Sequence, residues 1–99
     1  MHATASVDGT VIAETDHYEF VEGNVYFPPD SIKDFSSTLT PTSHTTGCPW
    51  KGEGHYYDIH VGGKTLSNAA WYYPQPFEKA TNIKDHVAFY KTKVHIDKE

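Results

Sequence analysis

At 99 residues, the chain is long enough for one hydrophobic core and too short for two independent ones. Its eight basic residues are all lysine, they face thirteen carboxylates, and the formal net charge is −5. Nucleic-acid binding normally depends on a basic face and on the bidentate fork of arginine, so this composition argues against a nucleic-acid partner.

The first half of the chain predicts four short strands in two β-hairpins. The tight-turn segments are Asp8-Gly9 in the first hairpin and Glu22-Gly23-Asn24 in the second. Pro28-Pro29 lacks amide donors and ends the second hairpin. The predicted strands cover residues 3–7, 10–15, 17–21 and 25–27.

The middle of the chain predicts mostly irregular structure. A single helical turn is expected over residues 32–35, after a capping Asp30 or Ser31. The threonine-rich residues 36–42 favour an extended backbone, because branched side chains fit a pleated surface. Residues 43–54, with three glycines and one proline, predict a polar loop.

The second half predicts one clear hairpin, a short helix and two further strands. Residues 56–61 alternate in polarity, Gly62-Gly63 turns the chain, and residues 64–67 return. The spacing of Phe77, Ala80 and Ile83 predicts a short helix within residues 77–85. The last strands are expected over residues 87–90 and 94–97. Short strands at close intervals, with one or two short helices, predict a mainly β, small single domain over residues 1–99, built as an antiparallel sandwich or barrel.

Cys48 is the only cysteine, so an internal disulfide is impossible and a reducing, cytoplasmic setting is expected. The N-terminus has no basic segment followed by an apolar block, and no run approaches the ~18 apolar residues of a membrane span. We therefore expect no membrane partner.

Cys48 is also the candidate catalytic residue, because a thiolate is a strong nucleophile that Lys51 or a nearby histidine could activate. In that case His44 or His55 would act as the base. The alternative is structural: Cys48-Pro49 forms a buried corner in which the thiol is a small apolar plug.

A metal site would need three or four converging nitrogen or sulfur ligands. The available donors are His44, Cys48, His55 and His60, and they lack the second closely spaced pair that usually marks a zinc site. We predict no metal and no cofactor.

Aromatic residues predict a ligand pocket. Amphipathic rings give apolar walls with polar tips, and Lys51 adds one charge. The predicted ligand-binding residues are Trp50, Lys51, Tyr56, Trp71 and Tyr73. If strand alternation instead buries about half of the rings, Tyr57 and Trp71 belong to the core, and Trp50, Tyr56 and Tyr73 are freer.

Several motifs together resemble the family called Domain of Unknown Function 427. They are Tyr26-Phe27-Pro28, Cys48-Pro49-x-Lys51-Gly52, Ala69-Ala70-Trp71-x-Tyr73-Pro74-x-Pro76 and Val87-Ala88-Phe89-Tyr90. The resemblance covers essentially the whole chain. It implies an intracellular β-rich domain of bacteria and fungi, in which strongly twisted antiparallel sheets meet like a tent. Similar tent-like folds often hold zinc through two cysteine pairs, which this chain lacks.

The resemblance supplies no catalytic residue. An older family label suggests nucleotidyl transfer, but the sequence lacks the clustered carboxylates and the cationic groups that this chemistry needs. The positions that match the family's motifs flank one hairpin, so we expect one shared site at its open end. They are Cys48, Pro49, Lys51, Gly52, Trp71, Tyr73 and Pro74.

Three functions follow as hypotheses. The first is binding of a small polar or anionic organic molecule in the aromatic pocket. The second is a cysteine-dependent enzyme that uses Cys48 as its nucleophile. The third is a homodimeric interaction module that uses an exposed edge strand or an aromatic patch.

Overall fold

The computed structural model describes residues 1–99 and contains nine β-strands in three antiparallel sheets. The strands are β1 (Ala3–Val7), β2 (Thr10–Thr15), β3 (Glu19–Val21), β4 (Asn24–Tyr26), β5 (Leu39–Cys48), β6 (Gly52–Val61), β7 (Lys64–Tyr72), β8 (Ala88–Phe89) and β9 (His95–Lys98). The sheets have the strand orders β2-β1-β9, β3-β4 and β5-β6-β7-β8. The helical segments are a 3-10 turn (Pro29–Ser31), a one-turn helix α1 (Phe35–Thr38) and a second 3-10 segment (Glu78–Ile83).

The predicted class, a small and mainly β antiparallel domain, is confirmed. The first two hairpins form as the sequence indicates, with Asp8-Gly9 between β1 and β2 and with Glu22-Gly23 between β3 and β4. The Gly62-Gly63 hairpin also forms, and its return strand β7 extends to Tyr72. No helix is long and apolar enough to cross a membrane.

The four-stranded sheet has buried residues on both faces. A large core of 17 buried residues includes Tyr57 and Ile59 of β6 and joins this sheet to the other two. A second cluster of five buried residues contains Tyr73 and Ala88, and Trp71 packs against it. Each of the two clusters covers part of this sheet. Because side chains alternate along a strand, successive aromatic residues of β6 and β7 lie in different environments.

The predicted polar loop over residues 43–54 is wrong. β5 continues through Cys48 and β6 begins at Gly52, so these residues form a hairpin with a turn at residues 49–51. The threonines of this segment adopt the extended backbone that branched side chains favour. Pairing of Thr45 with His55 and of Cys48 with Gly52 supplies the ladder.

Other features of the fold also differ from the prediction. Helix α1 begins at Phe35, because Ile32 is buried and bridges to Ala13 in an extended conformation. The helix within residues 77–85 is a 3-10 segment that buries Ala80 and Ile83 but leaves Phe77 exposed. The last two strands belong to different sheets, since β8 pairs with β7 and β9 pairs with β1.

Candidate functional site

The two sequence motifs meet at the open end of the β6–β7 hairpin. The Phe77 amide donates a hydrogen bond of 3.0 Å to the Lys51 carbonyl, which ties the segment after β7 to the turn before β6. Gly52 has φ +115°, and a Cβ there would lie 3.2 Å from the Gln75 carbonyl oxygen. Glycine is therefore required at this position both by the backbone conformation and by the close approach of the neighbouring chain.

The turn between β5 and β6 is held by an acidic residue from the β3–β4 turn. The Lys51 ammonium forms an ion pair with the Glu22 carboxylate, and the Trp50 indole donates a hydrogen bond of 3.4 Å to the same carboxylate. The ammonium also lies 5.3 Å from the centre of the Trp50 ring and 5.7 Å from that of Tyr73. Glu22 thus fixes the two side chains that follow Pro49.

Lys51 is only 7% exposed, so its charge depends on this partner. Burial is the largest single effect and lowers its pKa, but the hydrogen bond to Glu22 together with the nearby Tyr26, Tyr73 and Cys48 raises it, so the net pKa lies above the usual value. The same hydrogen bond lowers the pKa of Glu22. Burial raises the pKa of Tyr73 to about 12. At neutral pH the site therefore contains a charged Lys51–Glu22 pair beside a neutral phenol.

An aromatic face extends from this turn along the same side of the sheet. The Tyr56 hydroxyl lies 3.3 Å from both the Thr46 and the Tyr90 hydroxyls, and the Trp71 indole donates a hydrogen bond of 3.2 Å to the Tyr26 hydroxyl. The Tyr56–Tyr90 hydrogen bond, followed by burial, raises the pKa of Tyr90 to about 12. The polar tips of these rings thus already have partners within the protein.

Two shallow depressions lie on either side of Pro49 and Phe77. The larger has a volume of about 540 Å³ and is lined by Thr45, Thr46, Gly47, Cys48, Pro49, Gly52, Glu53 and Phe77. We call it the Cys48–Phe77 depression. The smaller has a volume of about 360 Å³ and is lined by Pro49, Trp50, Phe77, Glu78 and Lys79. Because they share two residues, the depressions form one continuous surface around the β5–β6 turn.

The structure divides the predicted site residues between this surface and the interior. Cys48 lines the larger depression, and Trp50 lines the smaller one. Lys51, Tyr56 and Tyr73 are buried and Trp71 is half-buried, and none of these four lines either depression. The expectation that Tyr56 and Tyr73 are freer than Trp71 is wrong, because the second cluster of buried residues and the neighbouring rings cover this face of the sheet.

The sequence interpretation missed Phe77 as a site residue. The spacing of Phe77, Ala80 and Ile83 predicts one shared helix face, whereas the Phe77 side chain is 55% exposed and borders both depressions. No local signal shows this: Phe77 has an extended backbone just before the 3-10 segment, so the helical spacing that groups it with Ala80 and Ile83 does not apply to it. The exposed Thr45 and Thr46 were missed with it, because they were placed in a loop.

No base forms a hydrogen bond with the Cys48 thiol. The thiol is half-buried, packs against the smaller core cluster and forms no side-chain hydrogen bond. The His44 ring packs on Tyr56 at 4.5 Å between ring centres, and His55 Nε2 lies 2.9 Å from a carboxylate oxygen of Glu53. The structure contains no group of three or more His, Cys, Asp or Glu residues that could hold a metal ion.

Fold and site together define a small antiparallel β domain with an open, partly apolar surface at one hairpin turn. The family model described as Domain of unknown function (DUF427) matches residues 1–99. The chain therefore belongs to the DUF427 family. No curated protein matches it significantly.

Proposed function

We propose that the domain binds a small polar organic molecule in the Cys48–Phe77 depression. The observation that carries the proposal is the exposure of Phe77, 55%, and of the adjacent Trp50, 39%, around a concave surface. Large apolar side chains that border a depression and are not used by the core are typical of binding sites. The volume of about 540 Å³ lies within the usual range for small-molecule sites.

The polar lining favours a ligand without net charge. Thr45 offers an exposed hydroxyl, whereas the Thr46 hydroxyl contacts that of Tyr56. Glu53, the one charged residue that lines this depression, lies beside His55, and Lys51 is paired with Glu22. An anionic ligand would reach Lys51 only by displacing Glu22. A single free thiol in the lining fits a reducing, cytoplasmic setting, in which Cys48 remains unmodified.

A ligand-observed NMR screen of small polar organic compounds at neutral pH tests this function. We expect the screen to find compounds that bind Phe77→Ser about fivefold or more weakly than the wild type. Partial loss of an aromatic contact costs about 1 kcal/mol of binding free energy, which corresponds to that factor. Val11→Ser is the matched control, because Val11 is an exposed apolar residue of β2 that lines neither depression. Compounds that bind both variants equally, or a screen without binders, would overturn the proposal.

A second candidate is homodimerisation through β5. This strand forms the edge of the four-stranded sheet and contains no Lys, Asp or Glu side chain that would discourage edge pairing. Pro41 and the register shift between Pro41 and Thr45 interrupt the edge, so pairing would use residues 45–48. Thr45 to Gly47 are exposed. Sedimentation velocity over a range of concentrations tests this function: growth from the 11.1 kDa monomer toward a dimer supports it, and a monomer at the highest concentration contradicts it.

A further inference from the structure

We propose a second, separate binding site for a short-chain monocarboxylate, in a cleft between the β3–β4 hairpin and strand β9. The cleft is lined by the apolar residues Phe20, Val25, Phe89 and Ile96, by Gly23 and Asn24, and by two lysines, Lys91 and Lys98. We call it the Lys91–Lys98 cleft. None of these residues borders the Cys48–Phe77 depression, so the two proposals fail or succeed independently.

The floor of the cleft is apolar. Val25 and Phe89 are buried members of the large core, and Ile96 packs against that core. Phe20 also lines the cleft, and 52% of its surface is exposed. An apolar group that entered the cleft would cover this ring and contact the core residues beneath it.

The rim of the cleft carries two positive charges. The Lys98 ammonium lies 4.8 Å from the centre of the Phe20 ring, and the Lys91 ammonium donates a hydrogen bond of 3.0 Å to the Gly23 carbonyl. Neither forms an ion pair, although carboxylates outnumber lysines thirteen to eight in this chain. Since an ammonium has three donor hydrogens, both retain hydrogen-bonding capacity for an anion.

The combination of charge and shape selects the ligand class. Cationic groups at the rim match a carboxylate, and the apolar floor matches a hydrocarbon tail. The cleft volume of about 100 Å³ is that of roughly three water molecules, so it limits the tail to a few carbons. Butyrate satisfies both requirements, whereas acetate lacks the tail and butyramide lacks the charge.

Titration of the ¹⁵N-labelled protein with butyrate, followed by two-dimensional NMR, tests the site. We expect saturable shifts of the Val25, Phe89 and Ile96 amides and an affinity about fivefold weaker in Lys98→Gln, because a partly exposed charge pair contributes up to about that factor. Lys91→Gln should weaken binding in the same direction. Lys33→Gln is the matched control, since it removes an equal charge from an exposed lysine that does not line the cleft.

Three results would overturn the proposal. The first is an equal affinity for butyramide, which would show that the lysines do not select the ligand. The second is an equal loss of affinity in Lys33→Gln, which would indicate general attraction of anions. The third is the absence of saturable shifts at the cleft in the wild-type protein.

Discussion

Glu22 binds two consecutive side chains of the β5–β6 turn through one carboxylate. Lys51 is the buried member of this group, and Trp50 is the exposed one. A buried ammonium is stable only while an opposite charge and hydrogen-bond acceptors surround it. The orientation of the turn, and with it the wall between the two depressions, therefore depends on a residue of another hairpin.

Replacing Glu22 by glutamine tests this dependence. In Glu22→Gln the Lys51 ammonium stays buried without a counter-charge, so we expect a lower urea midpoint and a lower pKa of Lys51 than in the wild type. Glu78→Gln is the control, because Glu78 is exposed and forms no ion pair. Equal urea midpoints for the two variants would show that the Lys51–Glu22 pair does not hold the turn.

The sequence alone indicates some of the individual residues of the site. Lys51 attracts attention as a charge between Trp50 and Gly52, and Cys48 as a lone thiol. The partner of Lys51 lies 29 residues earlier, in a turn whose sequence resembles any other hairpin turn. Local pattern cannot reveal such a pair, because only the packing of one hairpin on another creates it.

The β5–β6 hairpin is the element that sequence analysis failed to find. Gly47, Gly52 and Gly54 suggest a loop, yet they lie within strands. A Cβ at Gly54 would lie 3.0 Å from the Thr46 hydroxyl and 3.4 Å from the Tyr73 ring, so a small residue makes room for that ring. The Gly62-Gly63 hairpin was predictable because its turn and its alternating strand agree locally.

Dimerisation through the exposed edge of β5 can be tested by placing a charge on that edge. If two copies pair through this edge, Thr45→Lys places like charges near the shared axis and should shift sedimentation toward the monomer. Thr92→Lys, an equal change in an exposed loop residue, should leave the association unchanged. An unchanged dimer in Thr45→Lys would exclude pairing through β5.

Across the whole molecule, both ends of the chain are tied to the three-stranded sheet. The Tyr18 hydroxyl donates a hydrogen bond of 2.7 Å to the Glu99 carbonyl, and the Glu99 amide donates one of 2.8 Å to the His2 carbonyl. The His2 ring contacts Asp16 at 2.6 Å and Glu14 at 2.8 Å. The contacts of Glu99 hold the last strand, β9, beside the first strand, β1. No local sequence pattern indicates this pairing.

The same contacts predict a pH dependence of stability. Hydrogen bonds to Asp16 and Glu14 raise the pKa of His2, so its contribution is full below about pH 6.5 and is lost as the pH rises through the raised value. The His2 hydrogen bond lowers the pKa of Asp16, whose contribution is lost as the pH falls below its usual value of 3.8.

The stability difference between wild type and His2→Asn should therefore be larger at about pH 5.5 than at about pH 8.5. Urea unfolding at the two pH values measures it. His86→Asn is the control, because His86 bonds only the Lys84 carbonyl. A difference that does not change with pH would mean that the His2 ring contributes no charge to these contacts.

If the Cys48–Phe77 depression is the binding site, a bound compound covers the Cys48 thiol, so the alkylation rate of Cys48 reports whether the depression is occupied. With a compound that binds in a Phe77-dependent manner, present at about ten times its Kd, we predict that iodoacetamide reacts with Cys48 about tenfold more slowly. An alkylation rate that stays the same under saturating compound would place the ligand elsewhere and contradict binding in this depression.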